Sequence, residues 1–156
     1  MMGLDMYMRA QQYVSRFNYI YTNGDNEREP NKEFGELVNM LNASHVVDND
    51  GFSGISVSFP FAYWRKVNAV HGWIVENCAE GVDVCQEIYL TSKDIEQLRD
   101  ACQQVLDNHE LADVILPTHR GFFFGSSDYD EWYFNDIEYT RDVMNKALDA
   151  INAEPG

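Results

Sequence analysis

The chain has 156 residues, enough for one domain (1–156) with a buried core, and 45% apolar and 13% aromatic content excludes a disordered acidic tail. Lys and Arg number 11 against 26 Asp and Glu, a net charge of −15, so the bulk of the surface repels nucleic-acid phosphate and direct nucleic-acid binding is not expected. Solubility is the plain reading of that charge, and mimicry of a nucleic-acid surface is the sharp one. Cys78, Cys85 and Cys102 are an odd count without C-x-x-C spacing, so three reduced thiols are expected rather than a disulfide framework or a zinc site. No apolar run approaches the roughly 18 residues of a membrane span. The start, Met1 to Asp5, carries an acid where a signal peptide wants basic and then apolar residues. The expected compartment is a cytoplasm.

Leu4, Met6 and Met8 alternate with Asp5, Tyr7 and Arg9, which predicts a strand over 4–9. Residues 22–32 are almost without apolar content and read as an exposed loop. Phe34, Leu37, Val38 and Leu41 have helical spacing, so a short helix is expected at about 31–42. Ile55, Val57 and Phe59 alternate with Ser56 and Ser58, a strand over 54–59 that Pro60 is expected to close. A helix over 61–78 follows, ended by Glu80-Gly81. Residues 86–91 read as a short strand. Thr91 or Ser92 then caps a helix over 92–107, with Asp94 in its first turn and Ile95, Leu98, Cys102 and Val105 as its buried stripe. Gly121 to Gly125 reads as a glycine-bracketed strand. The last helix, 130–151, carries Tyr133, Ile137, Met144, Leu148 and Ile151 on one stripe. Few, short and unevenly spaced strands favour α+β over a parallel α/β sheet: a small mixed or antiparallel sheet covered by three or four helices.

The stretch with the most to say is Tyr63 to Trp73. On one helix, at about 100° per residue, Tyr63, Val67, Val70, Ile74 and Cys78 form an apolar stripe. Trp64, Asn68 and His71 line one flank, with Lys66, Trp73 and Asn77 on the other. An ordinary amphipathic helix carries Glu, Lys and Gln there. Arg65, Asn68 and His71 offer donors and acceptors, and Trp64 a stacking face, a set suited to a planar anionic or heteroaromatic ligand. A second group, His119-Arg120 with Ser126 to Asp130, lies around glycines that allow close backbone approach. The candidate binding residues are therefore Trp64, Arg65, Asn68, His71, Trp73, Arg120, Asp128 and Tyr129. The competing reading is that Trp64 and His71 pack at the edge of the core. No familiar catalytic signature, metal-ligand spacing or cofactor fingerprint is present, so no metal or cofactor is expected.

Gly3-Leu4-Asp5-Met6-Tyr7, Tyr63-Trp64-Arg65-Lys66 with Asn68, His71 and Trp73, Cys85, Leu116-Pro117-Thr118, Gly121-Phe122-Phe123-Phe124-Gly125-Ser126 and Tyr129-Asp130-Glu131 with Tyr133 occur in that order. In these pieces the chain resembles a family of small uncharacterised proteins encoded by bacteriophages and prophages. The resemblance implies phage origin and action in the host cytoplasm, and implies no activity. The leading expectation is an accessory protein that binds a host protein or a small nucleotide-like ligand. Its rivals are a small enzyme using His71, Asp5 or Cys85, and an acidic nucleic-acid mimic that inhibits a host DNA- or RNA-binding protein. Oligomeric state is left open.

Overall fold

Asn23-Gly24 sets the first feature of the fold in the computed structural model, which describes residues 4–47, 51, 53–121 and 125–153. Asn23 and Gly24 adopt φ of 51° and 91°, the two left-handed positions that a type I′ hairpin turn requires. They join β2 (Phe17–Thr22) to β3 (Asp25–Pro30) in an antiparallel ribbon, with Phe17 opposite Pro30, Tyr19 opposite Arg28 and Tyr21 opposite Asn26. The expected loop over 22–32 is thus mostly strand. Polar composition misleads there, because both faces of this ribbon meet solvent and nothing demands an apolar pattern.

The other ribbon pairs β1 (Asp5–Ser15) with β4 (Gly54–Arg65). The pairing is antiparallel: Arg16 N–H donates to Ser53 O at 2.9 Å beyond one end, and Lys66 N–H to Leu4 O at 2.6 Å beyond the other. Both strands outrun their expected spans of 4–9 and 54–59. Pro60 does not close β4. In a two-stranded ribbon each strand has an outer edge, where a residue without an N–H costs no ladder bond.

This moves the central expectation. Residues 61–65 complete β4, and helix α3 starts only at Asn68 and runs to Cys78. Lys66 breaks the path between them with φ of 58°. Trp64, Asn68 and His71 therefore do not share a helix face. Nor do Tyr63 and Val67 belong to the stripe of α3, whose buried residues are Asn68, Ala69, Val70 and Val75.

The remaining helices are α1 (Lys32–Met40), α2 (Ser44–Val47), α4 (Ser92–Asp107), α5 (Ala112–Ile115, after a 3-10 turn at His109–Leu111) and α6 (Glu131–Asn152). Asn31 caps α1, its side chain accepting from Glu33 N–H at 3.0 Å. Thr91 and Asp94 close a capping box on α4, with Asp94 Oδ2 held 2.8 Å from Thr91 N–H. Asp130 caps α6 through Tyr133 N–H at 3.0 Å. No ladder forms over 86–91. Ile88 and Leu90 are half-buried there, but the backbone has no strand partner among the described residues. The expected 121–125 strand falls on 122–124, which lie outside the described residues, and Gly121 and Gly125 are not in a strand. The architecture is α+β, with two small antiparallel sheets and six α-helices among the described residues.

Contacts divide the chain into two compact units, Met8–Phe61 and Met1–Tyr7 with Ala62–Gly156. In the first, Val14, Phe34 and Val38 are buried, with Leu37, Val47 and Ile55 packed on them. In the second, α4 packs along α6. Leu98, Cys102 and Val105 meet a core that also buries Val70, Leu116, Ile137 and Met144. Ile151, expected on the α6 stripe, is 53% exposed at the helix end.

Asp136 on α6 is half-buried, and desolvation, then the charge of Asp130, pushes its carboxyl above the usual range. A raised folded-state value contributes stability that is present at low pH and lost as pH rises through that value. Asp136→Asn should therefore raise the thermal midpoint at pH 7, with the gain shrinking toward pH 3. Equal shifts at both pH values would show that charge burial is not the cause.

Candidate functional site

At the start of α3, Gly125 stands against the turn that ends β4. Its φ is 82°, and a side chain there would bring Cβ within 3.0 Å of Lys66 Cβ and 3.4 Å of Lys66 O. Only glycine combines that conformation with that approach. One residue past Val67, Asn68 is 4% exposed and holds the segment after α5 from both ends of its amide. Its Oδ1 accepts from His119 N–H at 2.8 Å and its Nδ2 donates to Ser126 O at 2.9 Å. Further bonds fold the segment on itself. Thr118 Oγ1 donates to Ser127 O at 2.9 Å, Tyr129 OH accepts from Thr118 N–H at 3.1 Å, and Tyr133 OH donates to Leu116 O at 2.7 Å.

This anchoring brings His119 onto α3. Its imidazole lies against Gly72, where any Cβ would overlap the ring. One position earlier, His71 Nε2 lies 2.8 Å from Asp83 Oδ2. The His71 contact holds the Asp83 carboxyl below the usual range, against a smaller desolvation effect. Asp83 sits in a loop that Gln86 folds, with Val84 N–H donating to Gln86 Oε1 at 2.8 Å and Gln86 Nε2 to Val82 O at 2.6 Å. Between these groups is a cleft of about 230 Å³, lined by Asn68, His71, Gly72, Val75 and Glu76 of α3, by Asp83, and by His119 and Arg120.

Three of the residues singled out in the sequence, Asn68, His71 and Arg120, line this one cleft. Trp64 does not. It is 4% exposed, its indole N–H donates to Thr140 Oγ1 at 2.9 Å, and its ring meets Tyr139 edge-on at 5.8 Å. Arg65 is exposed at the end of β4, and Trp73 is half-buried on α3. Asp128 and Tyr129 belong to the anchored segment without lining the cleft. Asn68 changes role as well: its amide is committed to the backbone at 119 and 126, so it positions the cleft wall.

Glu76, Asp83 and His119 complete the site. Glu76 stands one turn beyond Gly72 and was legible only with the helix in the right frame. His119 adjoins Arg120 and was visible as a neighbour. Asp83 carried no signal, since a carboxylate 12 residues past His71 meets it only through the loop between them.

Asp5 Oδ1 accepts from Tyr63 OH at 2.7 Å, a cross-strand bond that raises the phenol. Cys85 is exposed. Burial pushes the Cys78 thiol up to about 11 and the Cys102 thiol up to about 12, so both stay protonated and inert at neutral pH. Among the described residues no group of His, Cys, Asp and Glu is arranged to hold a metal ion, and no helix is long and apolar enough to cross a membrane. Comparison with protein-family models, with curated proteins and with solved structures finds no match.

Proposed function

We propose that the chain is a small accessory protein of phage origin that acts by binding inside the host cell, and that the α3 cleft takes a nucleotide-like ligand by its heteroaromatic base. The carrying observation is the convergence of His71, Glu76, Asp83, His119 and Arg120 on one cleft of about 230 Å³. Carboxylates accept from ring N–H and amino groups, a guanidinium donates to carbonyl and ring nitrogen acceptors, and an imidazole does either. Arg120 shares the cleft with two carboxylates, a balance that favours the neutral edge of a base over a phosphate. Calorimetric titration with adenosine, guanosine and their monophosphates tests this. The nucleosides should bind at least as tightly as the monophosphates. Arg120 is exposed, so Arg120→Ala should leave the thermal midpoint unchanged while weakening binding by about 10- to 100-fold, the worth of a hydrogen bond to a charged group. A wild-type chain that binds none of the four ends this reading.

One observation favours a second reading. The His71–Asp83 pair, 2.8 Å apart, has the geometry by which a carboxylate orients an imidazole for general-base work. Turnover of a nucleoside that His71→Gln abolishes while binding persists would establish the enzyme.

A further inference from the structure

The unit Met8–Phe61 carries two features that the α3 cleft leaves unused. The first is the β2–β3 ribbon. Two strands alone are marginally stable in water, yet along this ribbon only Phe17 is even half-buried. Its faces differ. One carries Phe17, Tyr19 and Tyr21 with Arg28 across from Tyr19, and the Arg28 guanidinium lies 4.6 Å over the Phe17 ring. Tyr19 is 57% exposed and Tyr21 76%. The other face carries Asp25, Glu27 and Glu29. The second feature is a groove of about 380 Å³, with Val14, Leu37, Val57 and Phe59 along it and Glu33 and Glu36 beside them. Met40 at this groove is 73% exposed and Phe59 55%.

We propose that these two surfaces are halves of one homodimer contact: the aromatic, Arg28-bearing face of the β2–β3 arm lies in the Glu33/Glu36 groove of a second copy, and the exchange is reciprocal. Charge selects the occupant and its face. An apolar groove edged by Glu33 and by Glu36, whose carboxylate also lies 3.5 Å from the exposed Lys32 ammonium, repels the Asp25, Glu27 and Glu29 face of the arm and attracts the face where aromatic area and Arg28 coincide. Reciprocal exchange about a two-fold axis closes the assembly, whereas one-way insertion would leave a growing end. Each dimer then covers both arms and both grooves.

Sedimentation velocity over a concentration series tests the proposal on the full chain. The wild-type protein should run at twice 18.0 kDa at high concentration. Arg28→Glu in the arm and Glu36→Arg in the groove should each return the mass to 18.0 kDa, with unchanged far-ultraviolet circular dichroism. An equimolar mixture of the two variants should recover the dimer. In it, the altered arm meets the altered groove, and the native arm meets the native groove. A wild-type chain that stays at 18.0 kDa at every concentration overturns the proposal. So does a dimer that survives both substitutions, or a mixture that stays monomeric. Uptake of a basic amphipathic peptide by the groove of a monomeric wild-type chain would assign the groove to another protein and overturn it too.

Discussion

Asn68→Ala lowers the thermal midpoint of the α3–α6 unit by roughly 10–20 °C, the expected consequence of losing about 2–3 kcal/mol in a unit of this size. Alanine removes both hydrogen bonds that hold the backbone at 119 and 126 to α3. It also leaves His119 N–H and Ser126 O to find new partners beside a side chain that is 4% exposed. Asn68→Asp tests the donor side of the amide. It keeps the acceptor for His119 N–H but sets a carboxylate oxygen against Ser126 O, so it should fare no better than alanine. Ligand binding at the cleft should fall with both variants, because His119 and Arg120 follow directly on the bond that Asn68 makes. Scanning calorimetry at neutral pH measures the shift. An Asn68→Ala midpoint within 2 °C of wild type, about a few tenths of a kcal/mol, would show that the amide does not carry the segment.

Where one period ran unbroken, the elements could be read from the chain. The stripe Ile95, Leu98, Cys102 and Val105 is fully buried, and Thr91 with Asp94 announced the start of α4. The last helix was equally plain from Tyr133 to Leu148. The 61–78 segment failed for a physical reason. Tyr63, Val67 and Val70 have helical spacing, but Ile55, Val57, Phe59, Phe61 and Tyr63 continue a period of two. Taking Pro60 as a terminator cut that alternation short, although proline is admissible at a ribbon edge. Asn23-Gly24 was a stronger hairpin signal than the polar composition around it was a loop signal. At the site, neighbours on α3 were visible from spacing, whereas the His71–Asp83 contact and the approach of His119 to Gly72 depend on loop paths that no local period encodes.

Trp64 offers the sharpest test of that corrected frame. As a helix-face residue beside Asn68 and His71 it would touch ligand, and its truncation would cost affinity and little stability. As the inward residue between exposed Tyr63 and Arg65 on β4, it fills core space. Trp64→Ala should then destabilise by about 3–5 kcal/mol, the usual range for deleting a buried aromatic. Thr140 is not orphaned by the change, because its hydroxyl still donates to Asp136 O at 2.7 Å, so lost packing accounts for most of the cost. Trp64→Phe keeps a ring in place and gives up the 2.9 Å bond to Thr140, for about 1 kcal/mol plus the smaller volume. A double-mutant cycle with Thr140→Val isolates the bond as a coupling of about 1 kcal/mol. Urea midpoints for the four proteins of the cycle and for Trp64→Ala decide the matter. If Trp64→Ala unfolds near the wild-type midpoint while ligand affinity collapses, the indole belongs to the site and the strand placement of Trp64 is wrong. If stability falls as expected and Trp64→Phe binds ligand as wild type does, Trp64 acts on the cleft only by keeping the core beneath it closed.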